Sequence, residues 1–270
     1  MPYGYPVRRG SRTAPSRGST KQDNVSVLQH LLLQHMLLSF QPKDREGLTT
    51  PLTSYRLVGM LTQETTAPPA LRRTRDPEGT RALLVKNAFH EIHAHGYAGA
   101  SLDRILTKSG VTKGALYHHF KSKADLLHAV IDEAIQPMVT ERWLGPLHES
   151  DDPIRTLAES TRTMMVEATP EEMRCGCPLN NLTQELAGAN EDFRKHLARI
   201  ADDWRAGIRA AFERGQEAGN IRKDVNTAAV ASLVFATYQG LIGSVKTSHD
   251  QDAVTAGLSM FLDLLEGLRP

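Results

Sequence analysis

Residues 101–123 gather cationic, hydroxyl and imidazole side chains at spacings that suit contact with the phosphates and base edges of DNA. A lysine can reach guanine acceptors or a phosphate, and hydroxyl and imidazole groups can donate hydrogen bonds to phosphate oxygens. The backbone amides at a helix N-terminus form a further anion site. The residues that we predict to contact DNA are Ser101, Thr112, Lys113, Gly114, Tyr117, His118, His119, Lys121 and Lys123.

Three helices would hold these residues in place. Asp76 is a typical helix cap, and apolar residues then recur at helical spacing up to Gly96, which we expect to end the first helix. Ser101 and Thr112 would cap two short helices, and Gly110 between them allows the positive φ of a tight turn. This arrangement is the helix-turn-helix pattern. The alternative is an ordinary helical bundle whose lysines and histidines are merely solvated.

The order of residues in this segment resembles the DNA-binding domain of the TetR family of bacterial repressors, over about residues 77–130. The departures are Leu106, where the family usually has a small alanine, and His118, at a variable reading position. The residues that carry the resemblance are Gly96-Tyr97, Ser101, Ile105, Gly110-Val111-Thr112-Lys113-Gly114, Leu116-Tyr117, His119-Phe120, Lys123 and Leu126-Leu127. The resemblance implies a two-fold dimer on operator DNA that a small-molecule effector releases.

The rest of the chain predicts an all-α fold, in which a three-helix DNA-binding domain precedes a helical domain for effector binding and dimerisation. A helix that begins near Lys121 meets Pro137, which we expect to kink or end it. Further helices are expected at about 152–168, 178–188, 189–218, 226–247 and 250–267. The predicted division of the chain is 1–75 as a disordered or wrongly assigned extension, 76–122 as the DNA-binding domain and 123–270 as the effector and dimer domain.

The last two predicted helices carry small residues beside leucines, a composition that permits close helix packing between subunits. Packing within one chain would need the same residues, and the family resemblance favours the dimer. The residues predicted at the subunit interface are Ala229, Leu233, Ala236, Thr237, Gly240, Leu241, Gly257, Phe261 and Leu264.

An effector pocket would combine apolar walls with a few polar groups. The residues predicted to line it are Trp143, Met164, Met165, Cys177, Asn180, Gln184, Trp204, Phe235 and Tyr238. Methionine and aromatic residues on helices are more often plain core, so that interpretation stays open. The stretch from Gly176 to Glu185 is also similar to a TetR subgroup that includes electrophile and redox sensors, with Cys177 as the matching cysteine. The simpler interpretation makes Cys177 a small buried residue of the pocket wall.

Composition excludes several other classes of protein. Residues 1–76 carry 11 Lys or Arg and 5 Asp or Glu, whereas residues 146–270 carry 13 and 19, so DNA contact belongs to the N-terminal part. Two cysteines in Cys-x-Cys spacing are typical of a cytoplasmic protein rather than a disulfide scaffold. Phosphate-loop, Gly-x-Ser-x-Gly and His-Glu-x-x-His motifs are missing, so we expect neither an enzyme nor a cofactor. A helical interaction module is the remaining alternative.

Three smaller expectations complete the sequence analysis. Residues 25–40 suggest a short amphipathic helix, and the arginines at 72–75 could contact DNA from an arm or lie in solvent. No stretch reaches the roughly 18 apolar residues of a membrane span. His90, His93 and His95 are expected at the surface, without a metal.

Overall fold

The computed structural model describes residues 76–247 and 251–270, apart from the side chains of residues 165, 166, 170 and 251–255. Within those ranges every regular element is a helix, which confirms the predicted fold class. The expectations for residues 1–75 lie outside the described residues. The helices are α1 Pro77–Gly99, α2 Leu102–Ser109, α3 Lys113–His119, α4 Lys123–Val130, α5 Gln136–Val139, α6 Gly145–Glu149, α7 Pro153–Glu167, α8 Pro170–Cys175, α9 Pro178–Leu186, α10 Glu191–Ala218, α11 Thr227–Thr247 and α12 Gln251–Glu266.

The first three helices form a compact unit, here called the head (residues 76–119), with the caps that the sequence predicts. The Ser101 side chain accepts a hydrogen bond from the amide of Arg104, and the Thr112 side chain accepts one from the amide of Ala115. Gly110 lies in the left-handed region at φ 61° and ψ 26°, which lets the chain turn sharply between α2 and α3. The two short helices are therefore held at a defined angle to each other.

The long helix α1 supports the head and is broken near its end. Asp76 caps its first turn by accepting a hydrogen bond of 2.9 Å from the amide of Gly79. Gly96 has φ 72° and ψ 170°, a conformation that interrupts the helix, yet a last helical turn continues to Gly99. The predicted stop at Gly96 is confirmed as an interruption with positive φ, but it is not the end of the helical segment, because the chain resumes helical geometry directly after this one residue.

Residues 123–149, here called the connecting helix, run on from the head through α4, α5 and α6. Two π-helical segments, Ile131–Ile135 and Thr140–Leu144, separate these three pieces. The amide of Gln136 bonds to the carbonyl of Ile131, five residues back, and Pro137 follows directly. This wider turn accommodates a residue that has no amide hydrogen. Of the two outcomes expected at Pro137, a kink or an end, the end is wrong, because the helix continues past it with an irregular turn.

The remaining helices surround the connecting helix and α10. Their observed bounds lie within two residues of the predicted ones at every described end. Helix α8 was not predicted, although Thr169 and Glu172 form a capping box around Pro170 at its start. One cluster of buried apolar side chains extends from Leu84 in α1 through the connecting helix to Trp204 in α10, and it fixes the head against the helices that follow.

By length and composition alone, α11 is apolar enough to cross a membrane, although we had expected no such stretch from the sequence. Most of that helix is not buried within one chain. A helix that packs against a second protein subunit meets the same criterion, and the exposed side of α11 is described with the predicted subunit interface below.

Candidate DNA-reading surface and effector cavity

The outer side of α3 is open and polar, as the sequence predicts. Lys113, Gly114, Tyr117 and His118 are exposed, and Tyr117 keeps 45% of its surface. Leu116 on the opposite side is fully buried, so the orientation of the helix is fixed by its apolar face. No atom lies within 4 Å of the position that a Cβ on Gly114 would occupy. This outer side, with Thr112 at its start, is here called the reading surface.

The neighbouring predicted DNA contacts divide into two groups. Lys121 is exposed beside the reading surface, and His119 is half-buried with its ring near that of Phe120. Lys123 turns inward instead: its Nζ donates a 2.7 Å hydrogen bond to the carbonyl of Ala100. The Lys123 ammonium also lies 4.7 Å from the centre of the Tyr97 ring. Lys123 therefore joins the connecting helix to the end of α1, and the structure gives it a partner other than phosphate.

Ser101, the remaining predicted contact, is a half-buried cap of α2 rather than part of the exposed reading surface. Its backbone amide donates to the carboxylate of Glu91 at 3.2 Å. Ser101 thus helps to set the position of α2, and it is not one of the exposed groups, which belong to α3.

A buried carboxylate that the sequence analysis missed fastens α2 to α1. The side chain of Glu91 has no exposed surface, and its Oε1 accepts hydrogen bonds from the Ser101 amide and from Arg104 Nε at 2.5 Å. Burial acts to raise the pKa of Glu91, but the bonds from the Ser101 amide and Arg104 outweigh it and hold that pKa below its usual value. The signal in the sequence was a glutamate on the apolar face of α1.

An internal cavity of about 130 Å³ lies behind the head, between α1, the connecting helix and helices α7 to α12. Most of its wall is apolar. In the aromatic part of the wall, the Trp143 ring lies 5.4 Å from the Trp204 ring and 4.7 Å from the Tyr238 ring, tilted against both. The mainly apolar wall also includes residues with polar or charged side chains, namely His90, His93, Arg142, Thr161 and Glu172. Such a combination suits an uncharged or weakly polar organic ligand.

Five predicted pocket residues line this cavity, namely Trp143, Met164, Cys177, Trp204 and Tyr238. Three others do not: Asn180 bonds to the carbonyl of Gln239, Gln184 lines a second cavity of about 620 Å³, and Phe235 packs edge-on against Trp204. The reason is helical rotation, because one turn of α9 or α11 presents only some of its residues to the cavity. The side chain of Met165 lies outside the described part of the chain.

Two of the three histidines expected at the surface line the cavity instead. His90 and His93 are half-buried cavity residues, whereas His95 is exposed as expected. The Nε2–H of His93 donates a hydrogen bond of 2.6 Å to the carbonyl of Gly176. Burial lowers the pKa of His93, so its ring is neutral at pH 7. Apolar neighbours on α1 gave the only sequence signal for this position. Within the described residues, no group of three or more potential ligands could hold a metal ion.

Cys177 lies at the start of α9 and forms part of the cavity wall, where 9% of its surface is exposed. Burial raises the pKa of its thiol, although the amides of Asn180 and Leu179 act in the opposite direction. Cys175 is half-buried and has a raised pKa as well. Both cysteines are free, so a thiol pair is available but neither thiol is activated by its surroundings.

The predicted subunit interface is exposed along part of its length. Leu233 and Leu264 are 56% and 60% exposed, and Met260 on the same pair of helices is 59% exposed. The small residues Ala229, Ala236, Gly240 and Gly257 are also exposed. These exposed residues of α11 and α12 together form a surface that is here called the apolar face.

Three predicted interface residues do not belong to the apolar face. Phe261 is only 4% exposed and packs edge-on against Tyr238 inside the chain. Thr237 and Leu241 are half-buried, and Leu241 lines the cavity. Helical periodicity explains the difference, because α11 and α12 turn one side inward to the core and another outward.

Two family models match the chain. "Bacterial regulatory proteins, tetR family" matches residues 84–130, which include α2, α3 and the reading surface. "Tetracyclin repressor-like, C-terminal domain" matches residues 153–261, which include most of the helices that follow the connecting helix. The order of the two matches is the order of the two functional parts predicted from the sequence.

Individual proteins resemble the chain over most of their own length. The probable HTH-type transcriptional regulator ArpR of Pseudomonas putida is 30% identical over 183 residues, which cover 64% of this chain and 83% of ArpR. The HTH-type transcriptional repressor DhaR of Mycobacterium sp. (strain GP1) is 26% identical, covering 68% of this chain and 91% of DhaR. The crystal structure of a TetR transcriptional regulator from Chloroflexus aurantiacus superposes with a TM-score of 0.62 at 27% identity, covering 71% and 96% of the two chains.

Proposed function

Because this chain belongs to the TetR family of bacterial transcriptional regulators, we propose that it is a repressor that leaves its operator when a small molecule occupies the cavity. Residues 76–122 would bind DNA, and residues 123–270 would bind the effector and form the dimer. The relatives named above carry the names of transcriptional regulators, and we propose no enzymatic activity for this chain. Its place of action would be the cytoplasm, where the operator is.

The single observation that carries the proposal is the reading surface. An exposed lysine, tyrosine and histidine lie on one side of a short helix, beside a glycine with free space around it. A helix of this kind fits the major groove and presents its N-terminal residues to base edges. Lys113 would contact guanine or phosphate, and Tyr117 and His118 would donate to phosphate oxygens. Gly114 would let the backbone approach the DNA closely.

The apolar face supports a homodimer as the DNA-binding species. A two-fold dimer places the same patch of α11 and α12 on both subunits, and each patch covers the other. The exposed leucines Leu233 and Leu264 would then be buried between subunits. Two heads related by the two-fold axis would read half-sites roughly 34 Å apart, about one turn of DNA.

Effector release needs only a modest free energy of coupling. A ligand that binds more tightly to the DNA-incompetent arrangement by about 1–3 kcal/mol lowers operator affinity 5- to 150-fold. The cavity wall includes residues of both α1 and the connecting helix, such as Phe89 and Trp143, so a ligand there can displace the elements that carry the head. We propose a mainly apolar ligand with few polar groups, because the wall is mainly apolar.

Thiol chemistry at Cys177 is the finer alternative that the sequence suggests. The raised pKa favours a non-covalent role, because the thiol, and not the reactive thiolate, dominates at pH 7. We therefore propose that Cys177 serves as part of the cavity wall. Alkylation by N-ethylmaleimide distinguishes the two roles: equal operator release from wild-type protein and from Cys177→Ser would exclude thiol sensing.

The function is tested by selecting bound sequences from random duplex DNA and then titrating the selected duplex in a gel shift. We expect Lys113→Ala and Tyr117→Ala to weaken binding at least tenfold without unfolding the protein. Lys223→Ala, which removes an exposed lysine from the loop before α11, is the matched control and should bind like wild type. Wild-type affinity in both reading-surface variants would contradict the proposal.

A further inference from the structure

Directly after the break in α1, two backbone amides bind one carboxylate from α9. The amide of Tyr97 donates to Glu185 Oε2 at 2.8 Å, and the amide of Ala98 donates to Oε1 at 2.7 Å. Each carboxylate oxygen accepts one of the two amides, so both oxygens of Glu185 take part in this contact. Glu185 therefore caps the last turn of α1 from a different helix.

Gly96 makes this close approach possible. A Cβ on Gly96 would lie 2.9 Å from Glu185 Oε2, which is shorter than carbon and oxygen atoms tolerate without displacement. The residue also has a positive φ of 72°, which a side chain would strain. The break at Gly96 and the carboxylate of Glu185 thus fit each other.

A second contact joins the same two parts of the chain at the other end of α9. His93, one turn before Gly96, donates to the carbonyl of Gly176 at 2.6 Å, and Gly176 immediately precedes Cys177. His93, Gly176, Cys177 and Pro178 all line the cavity. The short helix α9 consequently contacts the cavity with its first residues and the head with Glu185, near its last.

We propose that Glu185 is a positioning residue that couples the cavity to the head through α9, in parallel with the connecting helix. This inference rests on the proposed function, because it assigns a route for the release of DNA. A ligand or adduct that displaces the start of α9 moves Glu185 with it, since a nine-residue helix moves largely as one body. The two amides of α1 then lose their acceptor, and the last turn of α1, which carries the chain into α2, loosens.

The connecting helix is the competing route, because Val139, Arg142 and Trp143 also line the cavity. Coupling by that helix alone would not depend on the charge or the two oxygens of Glu185. Glu185→Gln separates the routes: a glutamine keeps the shape but retains only one acceptor oxygen, so it binds one amide and presents an NH₂ group to the other.

The experiment uses the full chain with Cys175→Ser, so that Cys177 is the only thiol of the two in the sequence. The probe is N-ethylmaleimide, which adds bulk to the cavity wall at Cys177. Amide hydrogen exchange is then measured by mass spectrometry in peptides that cover residues 93–99. Glu217→Gln, an exposed glutamate near the end of α10, is the matched control.

Alkylation should speed exchange at Tyr97 and Ala98 at least tenfold in the parent and in Glu217→Gln. In Glu185→Gln the exchange of the amide that faces the NH₂ group should already be fast, and it should change less than twofold on alkylation. Cys177→Leu supplies the same perturbation by substitution if the buried thiol does not react or if the adduct unfolds the protein. Unchanged exchange at Tyr97 and Ala98 in the folded, alkylated parent would overturn the coupling, and so would an equal response in Glu185→Gln.

Operator affinity provides the second readout, which a merely structural role would not change in the same way. Alkylation should lower the affinity of the parent for the selected duplex. In Glu185→Gln, the fold-change in affinity that alkylation causes should be at most one third of that in the parent. Equal loss in both proteins would contradict the role of Glu185. A parent that binds no duplex DNA would contradict the proposed function alone, because hydrogen exchange still decides whether α9 connects cavity and head.

Discussion

Replacing Gly114 by alanine should make the protein more stable and a poorer DNA binder at the same time. Gly114 lies in the first turn of α3 with a negative φ, and no atom lies within 4 Å of the position of an added Cβ. In the free protein, the methyl group therefore meets only solvent. On DNA, the same methyl group occupies the space through which the backbone approaches the groove.

The two effects have different magnitudes. Alanine in place of an exposed helical glycine stabilises a protein by about 0.5–1 kcal/mol, since glycine loses more backbone entropy on folding. For a folded chain of this size, that gain raises Tm by roughly 1–4 °C. A methyl group inserted into a packed interface costs about 1–3 kcal/mol, which corresponds to a 5- to 150-fold loss of operator affinity for each head.

Thermal unfolding and gel-shift titration of the same preparation test both effects. Gly188→Ala, at an exposed turn with equally free space, is the matched control and should leave operator affinity unchanged. A Gly114→Ala protein with raised Tm and wild-type affinity would refute the reasoning, because the groove could not then contact the backbone of α3. Lower affinity with lower Tm would also refute it, since the loss would come from damage to the fold.

Three further predictions concern the fold. Glu91→Gln should destabilise the head by about 1–3 kcal/mol in urea unfolding at pH 7. The pKa of Glu91 is lowered from 4.5 in the folded protein, so this difference should be fully present above pH 4.5 and should disappear as the pH falls through that lowered pKa. A difference that grows in acid would contradict the ion pair with Arg104. Leu233→Glu combined with Leu264→Glu should give folded monomers in light scattering, and a persistent dimer would place the interface elsewhere. Tyr238→Phe should lower the urea midpoint by the equivalent of about 1 kcal/mol, because the phenol donates a buried 3.2 Å hydrogen bond to the carbonyl of Leu157. An unchanged midpoint would show that this hydrogen bond has no net effect on stability.

The head could be predicted because its signals are local. A cap, an apolar stripe and a glycine turn each depend on residues within a few positions of one another, and Asp76, Thr112 and Gly110 all adopt the predicted roles. The helix bounds of the later chain were predictable for the same reason. The interruption at Gly96 was predicted as an end, because sequence alone does not indicate that a carboxylate from another helix stabilises a further turn.

The side-chain partners across helices could not be predicted. The inward turn of Lys123 depends on the carbonyl of Ala100, which is 23 residues away, and the burial of His93 depends on Gly176, 83 residues away. Phe261 faces the core because of the rotation of α12 relative to α11. Periodicity identifies the apolar side of a helix, but it does not indicate whether that side packs within the chain or against another subunit. Long-range packing therefore decides which residues reach the cavity and which remain for a partner subunit.

The most direct test of the DNA-binding surface is a photocrosslink from the reading surface to DNA. A benzoylphenylalanine placed at Tyr117 should crosslink to bases or sugars within both half-sites of the selected duplex on irradiation. The same residue placed at His148, exposed at the end of α6, should give no crosslink. Crosslinks from position 148 with none from position 117, in a protein that binds the duplex tightly, would contradict the claim that α3 lies in the groove.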